Sequence, residues 1–151
     1  LLHVWRDGHA EIAAFLDDYA FLGNALLDLY LGTGQSRWLQ QALRLAEQMH
    51  TRFADQAGGY FYTASDAESL IVRTRDTQDG STPSGNSMAA TLLARLYHLL
   101  GKEDYRLMAL DTINSAWPLL SREPRAATQM MIAADMLIHE TTIDVVLLDA
   151  K

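Results

Sequence analysis

Three stretches of this sequence hold polar residues of the types and spacing that chemistry uses. Asp17-Asp18-Tyr19 supplies two carboxylates, which do acid and base work when burial raises one pKa and leaves the other low. Neighbouring helical residues point about a quarter-turn apart. Helix capping, with favourable charge at the positive helix end, is therefore the competing reading. Pro83-Ser84-Gly85-Asn86-Ser87 is a polar turn whose N–H groups and hydroxyls can hold an anion or a sugar hydroxyl. It has neither the nucleophile-elbow pattern nor the phosphate-loop pattern. Its structural reading is a helix start with Ser84 as N-cap, Gly85 for close packing and Asn86 holding the loop.

The intervening insert carries Asp66, Glu68, Arg73, Arg75, Asp76 and Asp79. Two carboxylates across a pocket are the equipment of glycoside hydrolysis. Solvated loop charge is the alternative. Arg73 and Arg75 alternate, so in a strand they share a face and can grip an anion by bidentate bonds. Tyr60, Phe61 and Tyr62 either stack on a sugar ring or lock the insert onto the helices. No histidine pair has metal-ligating spacing, and no metal or other cofactor is expected.

These residues need a scaffold, and composition bounds it. The chain has 151 residues, room for one domain. Hydrophobic residues make up 49% and charged residues 21%, a globular balance. Lys+Arg number 12 against 19 Asp+Glu, a net charge of −7, and no basic stripe exists, so no nucleic-acid partner is expected. With no cysteine, a disulfide framework, a thiolate metal site and a Cys nucleophile are excluded. The longest nearly apolar run, Met130 to Ile138, contains Asp135 and is too short to span a bilayer. No signal peptide is visible and no membrane partner is expected, which gives a cytoplasmic expectation. The chain opens on Leu1-Leu2 without Met and reads as a piece of something longer.

Hydrophobic periodicity then divides the chain into helices. After an irregular opening, Leu1 to Gly8, a helix carries Leu22, Leu26, Leu29 and Tyr30 and stops at Gly32 and Gly34. A second runs from about Ser36 to Ala54 and is apolar on two faces. Gly58 to Thr63 reads as a short aromatic strand that pairs with Leu70-Ile71-Val72. Helices resume over Ser84–Leu100, Glu103 to about Ala116, and from Pro124 through Ile138; Ile143 to Leu148 reads as a strand or extended end. A shift of 67 residues (101 − 34) superposes Tyr30 on Tyr97, Gly34 on Gly101, Trp38 on Tyr105 and Ala42 on Ala109. The repeating unit is a helix, a Gly-ended turn, an aromatic anchor and a small residue one turn later.

Four motifs in order carry a family resemblance: Trp5-Arg6-Asp7-Gly8, Asp17-Asp18-Tyr19-Ala20-Phe21, Gly58-Gly59-Tyr60-Phe61-x-Thr63-x-x-Asp66, and Asp79-Gly80-x-x-Pro83-Ser84-Gly85-Asn86-Ser87. From Leu1 to Lys151 the chain resembles the spermatogenesis-associated, thioredoxin-domain-containing proteins. The resemblance implies a thioredoxin-like domain followed by an (α/α)6 toroid related to N-acylglucosamine 2-epimerases and six-hairpin glycosidases. The thioredoxin-like half and its cysteines are absent here, so no redox role carries over. Arg75 stands where a lysine is expected. None of His3, His9, His50, His98 and His139 matches the paired histidines of the epimerases.

The expectation is a mainly α fold: one domain over 1–151, antiparallel helical hairpins forming part of an (α/α)6 toroid, with a small β-hairpin insert near 59–75. Two to three hairpins fit, so the partial ring is expected to self-associate or to lack its remainder. The expected function is carbohydrate processing or binding, glycosidase- or epimerase-like if enzymatic, with a sugar or sugar-like small molecule as partner. Asp18 or Asp79 would be the acid/base, Tyr60 the stacking platform, and Asn86 with Ser87 the hydroxyl readers. Tyr19, Asp66, Arg73 and Ser84 complete the mouth. The alternatives are a non-catalytic protein-interaction scaffold and a truncated fragment without independent activity.

Overall fold

Asp7-Gly8 makes the first turn. Both residues have positive φ, +51° and +84°, the pairing a two-residue type I′ turn demands and that Asp-Gly tolerates. The turn joins β1 (Leu2–Arg6) to β2 (His9–Ala13), antiparallel, with Arg6 opposite His9 and Val4 opposite Glu11. The structure, a computed structural model, describes residues 1–67 and 72–139.

The small hairpin expected near 59–75 is therefore present, but at the start of the chain, where an irregular opening was expected. Gly58–Thr63 forms no named strand: it makes an isolated bridge, Tyr60 to Ala54, bonds to the end of α2 and the start of α1, and one backbone bond toward the expected partner side, from Tyr62 N–H to Thr74. Two features account for it. Gly58 and Gly59 hold φ of +94° and +72°, which turns the chain back on itself, and the Asn86 side chain takes the hydrogen bonds a partner strand would have taken. Leu70-Ile71, the expected partner, and the tail Ile143–Leu148 lie outside the described residues.

The helices follow the periodicity. α1 (Leu16–Thr33) and α2 (Ser36–Phe53) form one antiparallel hairpin; α3 (Gly85–Leu100) and α4 (Glu103–Ser115) form the next. A four-residue helix α5 (Trp117–Leu120) and a 3-10 turn over Pro124–Ala127 lead into α6 (Thr128–Ile138). The 67-residue repeat is physical. Gly34 and Gly101 both stand at left-handed φ, +66° and +63°, and both donate their N–H to the tyrosine four residues back, Tyr30 and Tyr97. Ala42 and Ala109 are both fully buried where each second helix meets the core.

α1, α3 and α6 lie side by side and run parallel. Gly85 meets Leu16 at their starts and Gly23 meets Leu92 midway, a contact that leaves no room for a Cβ. Arg95 further along α3 donates to Asn24 and Asp28 of α1. Thr91 and His98 meet Gln129 and Met136 of α6 in the same order. α2 and α4 return antiparallel to α1 and α3, the stacked helical-hairpin, toroid-like arrangement. The core between them is built from Leu27, Met49, Phe53, Leu92, Leu93 and Leu96, with Met130 in a smaller cluster under α6. Among the described residues no helix is long and apolar enough to cross a membrane.

Candidate functional site

Parallel packing brings the first turns of α1 and α3 to one rim, and the insert folds across it. Between them lies a groove of about 430 Å³ whose wall includes Asp17, Tyr62, Asp76, Gln78, Thr82 and Ser84. The Pro83–Ser87 turn and the Asp17–Tyr19 segment thus converge, as a common site requires. Gly85 favours this: a Cβ there would stand 3.0 Å from Leu16 Cδ2 and 3.3 Å from Asp17 N, so a larger residue crowds the first turn of α1.

Most of the residues nominated from the sequence build this rim, and few face the groove. Asn86 is fully buried. Its Oδ1 accepts from Tyr60 N–H at 2.9 Å, and its Nδ2 donates to Tyr60 O at 2.9 Å and Asp76 O at 2.8 Å. Both amide protons are spent on the insert's backbone. Ser84 is the N-cap of α3: its Oγ accepts from Ser87 N–H, and it donates to the Ser87 hydroxyl at 2.9 Å. Asp79 joins three elements. One carboxylate oxygen accepts from Ser84 N–H at 2.9 Å and the other from Gln129 N–H in the first turn of α6 at 2.8 Å.

Asp18 caps α1, accepting from Phe15 N–H and pairing with His3 Nδ1, both at 2.8 Å, which ties the hairpin to the helices. Tyr19 is fully buried with its ring against Phe53. Its hydroxyl accepts from Arg52, which also grips Asp66 through Nε and Nη2. The Arg52 hydrogen bond holds the Asp66 carboxyl below its ordinary range. Arg73 lies over Phe61 at 4.2 Å and donates to the backbone oxygens of Thr63 and Arg52. Arg75 donates to Gly58 O and pairs with Asp55. The two arginines are clamps on the insert.

Tyr60 is buried to 2% exposure, its hydroxyl 3.3 Å from His50 Nδ1. Burial, reinforced by the Asp111 carboxylate, pushes its ionisation well above the ordinary 10. The aromatic that reaches the groove is Tyr62, stacked on Phe15 with ring centroids 4.7 Å apart. Its phenol is also raised, by burial first and then by the carboxylates of Asp17, Asp18 and Asp76. The groove's wall therefore rests on Asp17, Tyr62 and Asp76, which lie in the stretches singled out from the sequence but were not the residues assigned a role there, together with Ser84, which was. Helix phase decides between Asp17 and Asp18, and that phase is fixed only once α1 starts at Leu16.

A second cleft, about 420 Å³, separates α2 from α4 and is lined by Leu43, Glu47, His50, Tyr105 and Met108. Glu47 and His50 have the Glu-x-x-His spacing. Among the described residues, however, no three ligating side chains gather to hold a metal ion.

Fold and groove together define a helical-hairpin protein with a polar rim where its parallel helices begin. In amino-acid sequence the chain is 40% identical over 123 residues to human spermatogenesis-associated protein 20, covering 79% of this chain and 15% of that protein. The mouse protein of that name is 38% identical over 120 residues, covering 78% and 15%. A Caenorhabditis elegans protein described as uncharacterized is 39% identical over 128 residues, covering 85% and 17%. The chain thus spans about a sixth of the length of these curated relatives. No protein-family model matches it.

Proposed function

We propose that this chain is part of a protein of the spermatogenesis-associated protein 20 kind, and that its groove binds or processes a carbohydrate. One observation carries the reading: carboxylates, hydroxyls and an aromatic ring, contributed by α1, the insert and the start of α3, line a single cavity. That is the donor, acceptor and stacking set a polyhydroxylated ring requires. Asp17 and Asp76 are the carboxylates available to a reacting sugar, while Asp18 and Asp79 are positioning residues that hold the helix starts. If the site is catalytic, one of the available pair protonates the leaving oxygen and the other acts as base or nucleophile.

The test is a panel of neutral and charged sugars at millimolar concentration against the thermal unfolding of the full-length protein. At least one sugar is expected to raise Tm, and Tyr62→Ala is expected to abolish the rise. No rise with any sugar, or a rise that survives Tyr62→Ala, refutes the reading.

A scaffold role has its own observation. Phe21, Leu22 and Leu29 on α1, and Met131, Ile132 and Ile138 on α6, are exposed. They lie on the two outer helices of the parallel layer. Soluble monomers rarely leave such faces open, and they suit a second copy or further hairpins of the same ring. Sedimentation of the chain is expected to show association that Leu29→Glu weakens; a clean monomer at high micromolar concentration counts against it.

A further inference from the structure

The charge balance of the groove says which sugars it takes. Its wall carries the carboxylates of Asp17 and Asp76 and, among the described residues, no cationic side chain. The cations nearest in sequence flank Thr74, itself part of the wall, and both are committed elsewhere. Arg73 goes to the Thr63 and Arg52 carbonyls, and Arg75 to Gly58 O and Asp55. Arg52 is held by Asp66 and Tyr19.

Helix starts normally attract anions through free N–H groups and the dipole. At this rim five of those donors are occupied. Phe15 N–H goes to Asp18, Asp18 N–H to Asp17, Leu16 N–H to Tyr62 O, Ser84 N–H to Asp79 and Ser87 N–H to Ser84 Oγ. Three of these five acceptors are carboxylates, so the positive ends of α1 and α3 are already offset by fixed negative charge.

We infer that the groove discriminates by charge, preferring an amine-bearing sugar to its neutral counterpart and rejecting sugar acids and sugar phosphates. The inference rests on the carbohydrate reading above. An ammonium beside Asp17 and Asp76 exchanges water for two carboxylates without displacing an existing cation. A uronate or phosphate meets the same two carboxylates, with no cationic side chain among the described residues of the wall to offset them.

The experiment titrates the full-length protein with glucose, glucosamine and glucuronic acid, one pyranose ring in three charge states, by calorimetry or ligand-observed NMR. Conditions keep the amine protonated and the acid ionised. Glucosamine is expected to bind about three- to tenfold more tightly than glucose, the range for two partly exposed charge contacts. Glucuronic acid is expected to bind most weakly. Added salt is expected to close the gap, and Asp76→Asn to narrow it, with Asp17→Asn as the second variant should the first fail to fold by circular dichroism. Equal affinities, or glucuronic acid as the tightest ligand, overturn the inference and leave the carbohydrate reading standing. Binding of none of the three overturns both.

Discussion

Removing the Asn86 side chain is expected to weaken the fold far more than a surface polar substitution would. Asn86→Ala deletes three hydrogen bonds of 2.8 to 2.9 Å from a fully buried position. Asp76 is exposed, so its carbonyl can turn to water. The N–H and C=O of Tyr60 are buried and cannot. Two orphaned backbone groups at about 1–3 kcal/mol each, together with the small cavity, sum to about 3–5 kcal/mol. For a chain of this length that lowers Tm by about 10 °C. Urea unfolding followed by far-UV circular dichroism measures the loss, and hydrogen exchange at Tyr60 N–H localises it. Asn86→Asp sharpens the test by keeping the acceptor for Tyr60 N–H while facing two carbonyls with a carboxylate. Its folded pKa is then raised, so the lost stability should return as pH falls and the acid becomes a donor. A loss below about 1 kcal/mol in Asn86→Ala would refute the argument that this side chain holds the insert.

Two other outcomes follow from the same geometry. Gly34→Ala and Gly101→Ala should each cost about 1 kcal/mol and match one another, because both glycines have left-handed φ and neither has an atom within 4 Å of a would-be Cβ; chemical denaturation of the two variants compares them. Tyr60, ionising far above its unfolded value of 10, contributes stability that is full below pH 10 and is lost as pH climbs toward its folded pKa. Tyr60→Phe should therefore flatten the alkaline fall in Tm.

How much of this was legible in the letters varies by element. The long helices were, since a sequence apolar at three- and four-residue intervals and ending in glycine has few other ways to bury itself. The N-cap role of Ser84, the close approach at Gly85 and the loop-holding role of Asn86 were also readable as structural alternatives, and the contacts found are those. The N-terminal hairpin had a signal, Asp7-Gly8 between β-prone residues such as Val4 and Trp5, and an irregular opening was expected instead. Trp5, at 73% exposure, buries too little to leave a core pattern, so only the turn chemistry marked the strands.

Sequence by itself determined that there are helical hairpins, where they end, and that one repeats the other at a distance of 67 residues. Those features depend on neighbours a few positions apart: a left-handed glycine, an aromatic anchor, an alanine one turn on. Which polar side chain faces the groove depended on the tertiary structure. Asp17 and Asp18 differ by a helical phase set where Phe15 meets the Asp18 carboxylate. Tyr60 and Tyr62 differ because Asn86, 26 residues beyond Tyr60, takes one of them into the core. Arg73 and Arg75 turn from the groove because carbonyls of the returning chain lie within their reach. The tyrosine and arginine choices are made by partners distant in sequence, and no local pattern encodes them.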